Sequence, residues 1–309
     1  MIPDPWELAA YTLERQHPLT RKWVDDETRL GLLAELHAGV DVLLATDRSI
    51  AESRVERMAP GTPVDAMLNH WVAVGDDLSA MLSMRFEGLD VTKPFVDASP
   101  LSRPLESRDL PALAAVARDF YGIHHPRYVR LWSSEPVDAF PGAVRDRRQF
   151  AALITDLQPR NVPPGLVLTP AKALDHYEDA VRAYAAVDES HPDHQAQAQL
   201  QSKENLEESV EAGLLFDITV DGVWAGYVSA LTESEEALAL PAYVVEELIL
   251  TPTYRGQGLG THLSTLMAQS LPTTHPILIG TIHANNTGAT TAATRAGRQD
   301  IGGWLLQPL

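Results

Sequence analysis

From residue 246 to residue 262 the chain reads Glu-Glu-Leu-Ile-Leu-Thr-Pro-Thr-Tyr-Arg-Gly-Gln-Gly-Leu-Gly-Thr-His. An apolar strand-like run ends, glycines alternate, and a helical pattern begins. That order gathers free backbone N–H groups and the positive end of a helix dipole at one spot. Gly256, Gly258 and Gly260 let an anion approach the backbone without meeting a Cβ. The chemistry this predicts is binding of a phosphate or diphosphate. A Walker A loop would need Gly-Lys-Ser/Thr at its end, and the segment has no lysine. The dinucleotide pattern G-x-G-x-x-G fails because Thr261 stands in the place of the third glycine. What remains is Arg/Gln-x-x-Gly-x-Gly/Ala, matched by Arg255, Gly258 and Gly260.

The elements around this loop follow from period and punctuation. The spacing predicts a short strand at Leu166–Leu168 and a helix over 171–187, with Leu174, Tyr177, Val181 and Tyr184 at helical intervals. A helix near 199–211 comes next. A hairpin of 214–220 with 223–231 then turns on Asp221-Gly222. Strand 243–250, helix 257–270, strand 276–283, helix 287–296 and a last strand at 304–306 complete the order β-α-α-β-β-β-α-β-α-β. Gln158-Pro-Arg-Asn-Val-Pro-Pro-Gly165 can continue neither a helix nor a central strand, and it marks the expected boundary between domains 1–158 and 163–309.

With these elements in place, the second half resembles the Gcn5-related N-acetyltransferase (GNAT) superfamily. The frame x-Pro-x-Tyr-Arg-Gly-x-Gly-x-Gly after a strand is that family's central motif, and Leu250 through Gly260 fit it. Asn286, Ala289 and Gly297 match its later Asn-x-x-Ala and helix-ending glycine. The resemblance implies an α/β (α+β) fold with a mixed, mainly antiparallel sheet flanked by helices. It implies acetyl-CoA as co-substrate, with the pantetheine arm lying along the backbone of Leu248, Ile249 and Leu250. The Leu248 N–H would serve as oxyanion donor. Arg255, Gly256, Gln257, Gly258, Leu259, Gly260 and Thr261 would surround the diphosphate, and Asn286 and Ala289 would contact the cofactor from beyond the next strand.

Attack by an amine needs a base for its proton. The resemblance implies Glu246, four residues before Leu250. Glu247 is the fallback, since a bulge common in this strand of the family would exchange the two faces. One position departs from the family: where active members often carry a tyrosine that protonates the leaving thiolate, this chain has Ala293. Tyr243, His283 or water are the substitutes. That departure keeps open an acetyl-CoA-binding sensor without turnover, beside the leading expectation of acetyl transfer to a primary amine of a small molecule.

Composition narrows the classes further. The 309 residues suit two domains, and 45% apolar content supplies a core for each. There is no cysteine, so thiolate metal sites and a cysteine acyl-enzyme are excluded. A net charge of −18 argues against nucleic acid and anionic membranes as partners. With no signal-like N-terminus and no apolar run of spanning length, the expected location is cytoplasmic. His191-x-x-His194 after Asp188 and Glu189 lacks the third ligand a metal site needs, so no metal is expected. Glu233-Ser-Glu-Glu236 reads as a solvated turn, and His124-His125 has no nameable partner.

The first half offers no such motif. Asp4 with Pro5 starts a helix, segments near 25–38 and 47–58 look helical, and 70–74 with 79–86 reads as a hairpin around Gly75-Asp-Asp77. A helix at about 107–121 and a strand at 127–132 follow. This mixed α/β half is compatible with a degenerate GNAT copy, in a tandem arrangement like that of mycothiol synthase. It lacks the glycine loop and should not bind the cofactor in the family's way.

Overall fold

The computed structural model describes residues 1–157, 161–190, 198–232 and 238–309. The two histidines at 191 and 194, the acidic run at 233–236 and the first residues of the 158–165 segment lie outside that set. The described chain forms two compact units. Of the described residues, the first holds Met1–Arg147, residues 238 and 239, and Gly302–Leu309; the second holds those from Arg148 to Thr232 and Leu240–Ile301. By these bounds the chain changes unit inside the strands Val144–Leu153 and Gln299–Pro308 and on either side of residues 238 and 239.

The first unit opens with α1 (Pro5–Glu14), where Asp4 caps the N–H groups of Trp6 and Glu7 in a capping box. Short α2 (Thr20–Trp23) leads to α3 (Asp26–His37), capped by Asp25. A π-helical turn at Ala38–Val42 runs into α4 (Leu43–Thr46), and α5 (Arg48–Met58) follows under its Asp47 cap. Strands β1 (His70–Val74), β2 (Leu78–Phe86) and β3 (Pro94–Leu101) form an antiparallel meander. Helix α6 (Leu110–Tyr121) crosses back to β4 (Tyr128–Ser133), which pairs parallel to β3 at Val96–Val129. The chain's last residues complete this unit, with Gly303–Pro308 antiparallel to β4. Leu113, Ala117 and Tyr121 of α6 recur at helical spacing and pack with Leu82, Val96, Leu131 and Leu305. Leu238 joins through its carbonyl, which accepts from Arg29 at 2.9 Å.

The second unit takes the latter part of β5 (Val144–Leu153), then β6 (Leu166–Pro170), α7 (Tyr177–Ser190) and α8 (Lys203–Glu211). Strands β7 (Leu215–Val220), β8 (Val223–Leu231) and β9 (Ala242–Leu250) lead to α9 (Gly260–Ser270), β10 (Ile277–His283) and α10 (Thr287–Ala296). The opening residues of β11 (Gln299–Pro308) also belong here. The strand order is β5-β10-β9-β8-β7-β6. β6 to β9 run antiparallel and β10 runs parallel to β9. Leu259, Leu263 and Met267 cover one face over Phe216, Val228 and Tyr243. On the other face Ala180, Ala183 and Leu206 meet Leu215, Tyr227 and Ile249.

Three sequence expectations are corrected. Pro94–Leu101 and Val144–Leu153 are strands that were not expected, because two prolines in the first and a run of charges opening the second mask the period-2 pattern. Helix α7 starts at Tyr177, after a turn, not at 171. Its buried stripe is Ala180, Ala183 and Val187, while Val181 is 40% exposed.

Candidate active site

The site grows from the way β9 leaves its neighbours. Its register with β10 runs only from Ala242–Ile277 to Val244–Ile279. Gly280 still lies close to Val245, where an added Cβ would approach the valine side chain at 3.1 Å. Beyond that point, among the described residues, β9 has no strand partner on its β10 side. Along β8, Thr251 N–H donates to Ala225 at 2.8 Å. Backbone groups alternate edges along a strand, so those of Leu248 and Leu250 face the gap. The Leu250 carbonyl accepts from Arg255 Nε at 2.6 Å, and the Leu248 N–H donates to Glu247 Oε1 at 3.0 Å.

A bulge decides where the two carboxylates go. Ser229 pairs with Glu247 and Ala230 with Val245, leaving Glu246 as the extra residue. Both carboxylates consequently meet helices α7 and α8. Glu246 accepts from Ser209 of α8 at 2.9 Å and from Ser229 at 3.2 Å. Glu247 is 3% exposed and accepts from the Tyr184 hydroxyl at 2.7 Å and the Gln201 N–H at 3.4 Å. Burial pushes its carboxyl up from 4.5 to about 7, against the opposing pull of the Tyr184 hydrogen bond. Burial likewise raises the Tyr184 phenol, with the Glu247 charge adding to it. Tyr184 thus keeps its proton and holds the carboxylate.

The glycine loop follows a 3-10 turn at Pro252–Tyr254. Gly256 and Gly258 have φ of 70° and 78°, the left-handed region that strains other residues. Among the described residues, no backbone acceptor faces the N–H groups from Gly256 to Gly260, whereas Thr261 N–H already donates to Gly258. Gly260 opens α9, where a Cβ would touch that of Ala292 at 3.4 Å. Arg255 braces the loop, with Nη2 donating to the Ala183 carbonyl at 3.2 Å. Gln257 turns to the Thr253 carbonyl at 2.7 Å. Asn286 is the N-cap of α10, and its side chain accepts the Ala289 N–H at 3.1 Å. Beside the 3-10 turn lies an open groove of about 660 Å³, walled by His176, Arg182, Trp224, Thr253 and Tyr254. The His176 and Trp224 rings stack in it at 4.6 Å. Neither the groove nor the role of Tyr184 was legible in sequence, where Tyr184 read as one of a helix's apolar positions.

Ala293 is buried in α10 and brings no hydroxyl. Of its substitutes, Tyr243 shares a 2.7 Å hydrogen bond with Thr274 at the far end of β9. His283 ends β10, where Nδ1 accepts from Asn285 at 3.2 Å.

Comparison with known proteins now gives this geometry its class. The model of the acetyltransferase (GNAT) family matches residues 174–297. The C-terminal region is a GNAT-family domain. Its enzyme class is acyl-CoA N-acyltransferase. Among solved structures, the chain is similar to a GCN5-related N-acetyltransferase from Kribbella flavida, at 15% identity over 86% of this chain and 96% of that one, with a TM-score of 0.43. A GNAT-family acetyltransferase from Colwellia psychrerythraea matches at 12% identity over the same shares, with a TM-score of 0.49. A tandem GNAT protein from the clavulanic acid biosynthesis pathway matches at 16% identity over 85% and 95%, with a TM-score of 0.40. No curated protein sequence matches the chain. The GNAT domain contains the gap, the bulged carboxylates and the glycine loop.

Proposed function

We propose that the GNAT domain transfers an acetyl group from acetyl-CoA to a primary amine of a small molecule, with Glu247 as general base. The observation that carries this is a buried carboxyl, raised to about 7, one residue from the gap-facing N–H of Leu248. A base is most useful when its pKa lies near the working pH, and Glu247 meets that condition. Glu246, the carboxylate that the family resemblance favours, is instead committed to two serine hydroxyls.

The loop fits a diphosphate: consecutive unbonded N–H groups and two left-handed glycines sit at the start of an eleven-residue helix. Acetyl-CoA would supply the activated acyl carbon as a thioester. The N–H groups of Gly256 to Gly260 would hold its diphosphate, and the backbone of Leu248 to Leu250 its pantetheine arm. Asn286 caps α10 and Ala289 lies in its first turn, near the same ligand. Glu247 takes the amine proton, Tyr184 fixes its position, and the Leu248 N–H, released from Oε1, supports the developing oxyanion. With alanine at 293, the thiolate leaves without a side-chain acid, which its ordinary pKa of about 8.5 allows.

The first unit supports a degenerate copy of the same layout: antiparallel strands, helix α6, then parallel β4. Its β3–α6 connection has no glycine, and buried Asp109 occupies the helix start, accepting from Glu106 N–H at 2.8 Å and from Arg103 at 2.9 Å. An anion is already built in, so a second diphosphate is not expected there. Among the described residues no helix is long and apolar enough to cross a membrane. A cytoplasmic enzyme with no nucleic-acid partner is the reading that fits the acidic charge.

The test is free-thiol release from acetyl-CoA against an amine panel, with calorimetric titration of acetyl-CoA in parallel. Glu247→Gln should lower turnover about 10²–10⁴-fold while acetyl-CoA affinity stays within a few-fold, and Glu246→Gln should change turnover far less. Cofactor binding without thiol release from any amine would favour the sensor, the reading that Ala293 keeps alive.

A further inference from the structure

The first unit contains a pocket of about 160 Å³ that the acetyl-transfer reading does not use. Helix α1 and the π-helical turn roof it, and the sheet face of β2 and β3 floors it. Three observations point to a ligand. Ser83 is 2% exposed, lines the pocket, and among the described residues its Oγ has no hydrogen-bond partner. A buried hydroxyl left unsatisfied is destabilising, so its retention at a cavity wall calls for an occupant. Arg85, two residues along the same face of β2, also lines the pocket and has no carboxylate partner among the described residues. The wall's carboxylates are spoken for: Asp97 holds Arg130 at 2.5 Å, and Asp41 holds His37 Nδ1 at 2.6 Å.

The third observation is the chain of hydrogen bonds that closes the roof. Thr12 Oγ1 lies 2.8 Å from His37 Nε2, whose other nitrogen faces Asp41, and all three residues are buried. An ionised carboxylate only accepts, so the Nδ1 proton stays between His37 and Asp41. Whichever of the two donates in the Thr12–His37 hydrogen bond, the Thr12 oxygen keeps a lone pair for a donor in the pocket. The wall thus combines a forked cation, a free hydroxyl beside it and a fixed acceptor opposite. A planar guanidinium matches the two oxygens of a carboxylate. The volume is close to that of an engineered cavity of about 150 Å³ that takes up benzene, so the occupant is small.

We propose that this pocket binds a small hydroxy-monocarboxylate, its carboxylate on Arg85 and Ser83 and its hydroxyl donating to Thr12. The site lies wholly within the first unit and does not depend on the acetyl-transfer reading.

The experiment is calorimetric titration of the full chain, without acetyl-CoA, using lactate, glycolate and 3-hydroxybutyrate, with lactamide and inorganic phosphate as controls. At least one hydroxy acid should bind, while lactamide and phosphate should not. Arg85→Gln should weaken that binding tenfold or more. Arg85→Lys, which keeps the charge but loses the fork, should weaken it to a lesser extent. If Arg85→Gln fails to fold by circular dichroism, Ser83→Val, which fills the pocket floor, should abolish binding instead. The proposal is overturned if no hydroxy acid binds, if lactamide or phosphate binds as well as lactate, or if the folded variants bind as the parent does.

Discussion

Glu247 carries two consequences that can be measured separately. As the proposed base it must be ionised, so kcat/KM should rise with pH through about 7, the value to which burial raises its carboxyl. Replacing Tyr184 with phenylalanine removes a donor to the charged form, so the midpoint of that rise should move to higher pH. A midpoint unmoved in Tyr184→Phe would deny the tyrosine its positioning role. The same shift acts on stability. A carboxyl whose folded pKa exceeds its unfolded value binds more protons in the native state between the two. Its contribution is complete below about 4.5 and is lost as pH climbs through about 7. At roughly 1.4 kcal/mol per unit the loss is on the order of 3 kcal/mol. Urea denaturation at pH 4.5 and pH 8 should show it in the parent chain and not in Glu247→Gln.

At the scale of the element, β8 and β9 are held close by a residue with no side chain. Gly226 has φ of 155°, and a Cβ there would stand 1.9 Å from the Ile249 carbonyl oxygen. Backbone cannot yield as a flexible side chain does, so Gly226→Ala must either part the strands or strain both. Destabilisation of at least ~2 kcal/mol is expected from the overpacking alone. Because Ile249 lies between Leu248 and Leu250, acetyl-CoA affinity should fall as well. Normal stability and affinity in the purified variant would contradict this account of the pairing.

At the scale of the molecule, residues from the far end of the chain complete the first unit. Leu305 is fully buried there among Leu82, Leu131 and Tyr121. Truncation of a buried leucine costs about 2–5 kcal/mol. Leu305→Ala should lower the denaturant midpoint accordingly, and amide exchange should speed up in β3, β4 and α6. If protection is lost only within residues 148–301, the assignment of this strand to the first unit is wrong. The net charge of −18 makes a further expectation: if the acceptor is the proposed amine, its cation is drawn in over long range and its KM should rise with salt.

The sequence by itself determined the glycine loop, the proline before it, the hairpin at Asp221-Gly222 and the order of elements from 166 onward. Each of these rests on local constraints: a φ that only glycine adopts freely, a period of 2 or 3.6, or a cap. The resemblance put Glu246 before Glu247, with a bulge as the reason for the fallback, but whether the bulge is there is set by pairing with a neighbouring strand, which the sequence alone does not show. Nor could it find β3 or β5, whose prolines and charges hide an alternation that burial reveals. Tyr184 beside Glu247, and Thr12, His37, Ser83 and Arg85 around one pocket, are contacts between residues far apart in the chain. Only the tertiary structure brings such groups together, since desolvation and hydrogen bonding act across space and leave no spacing to read.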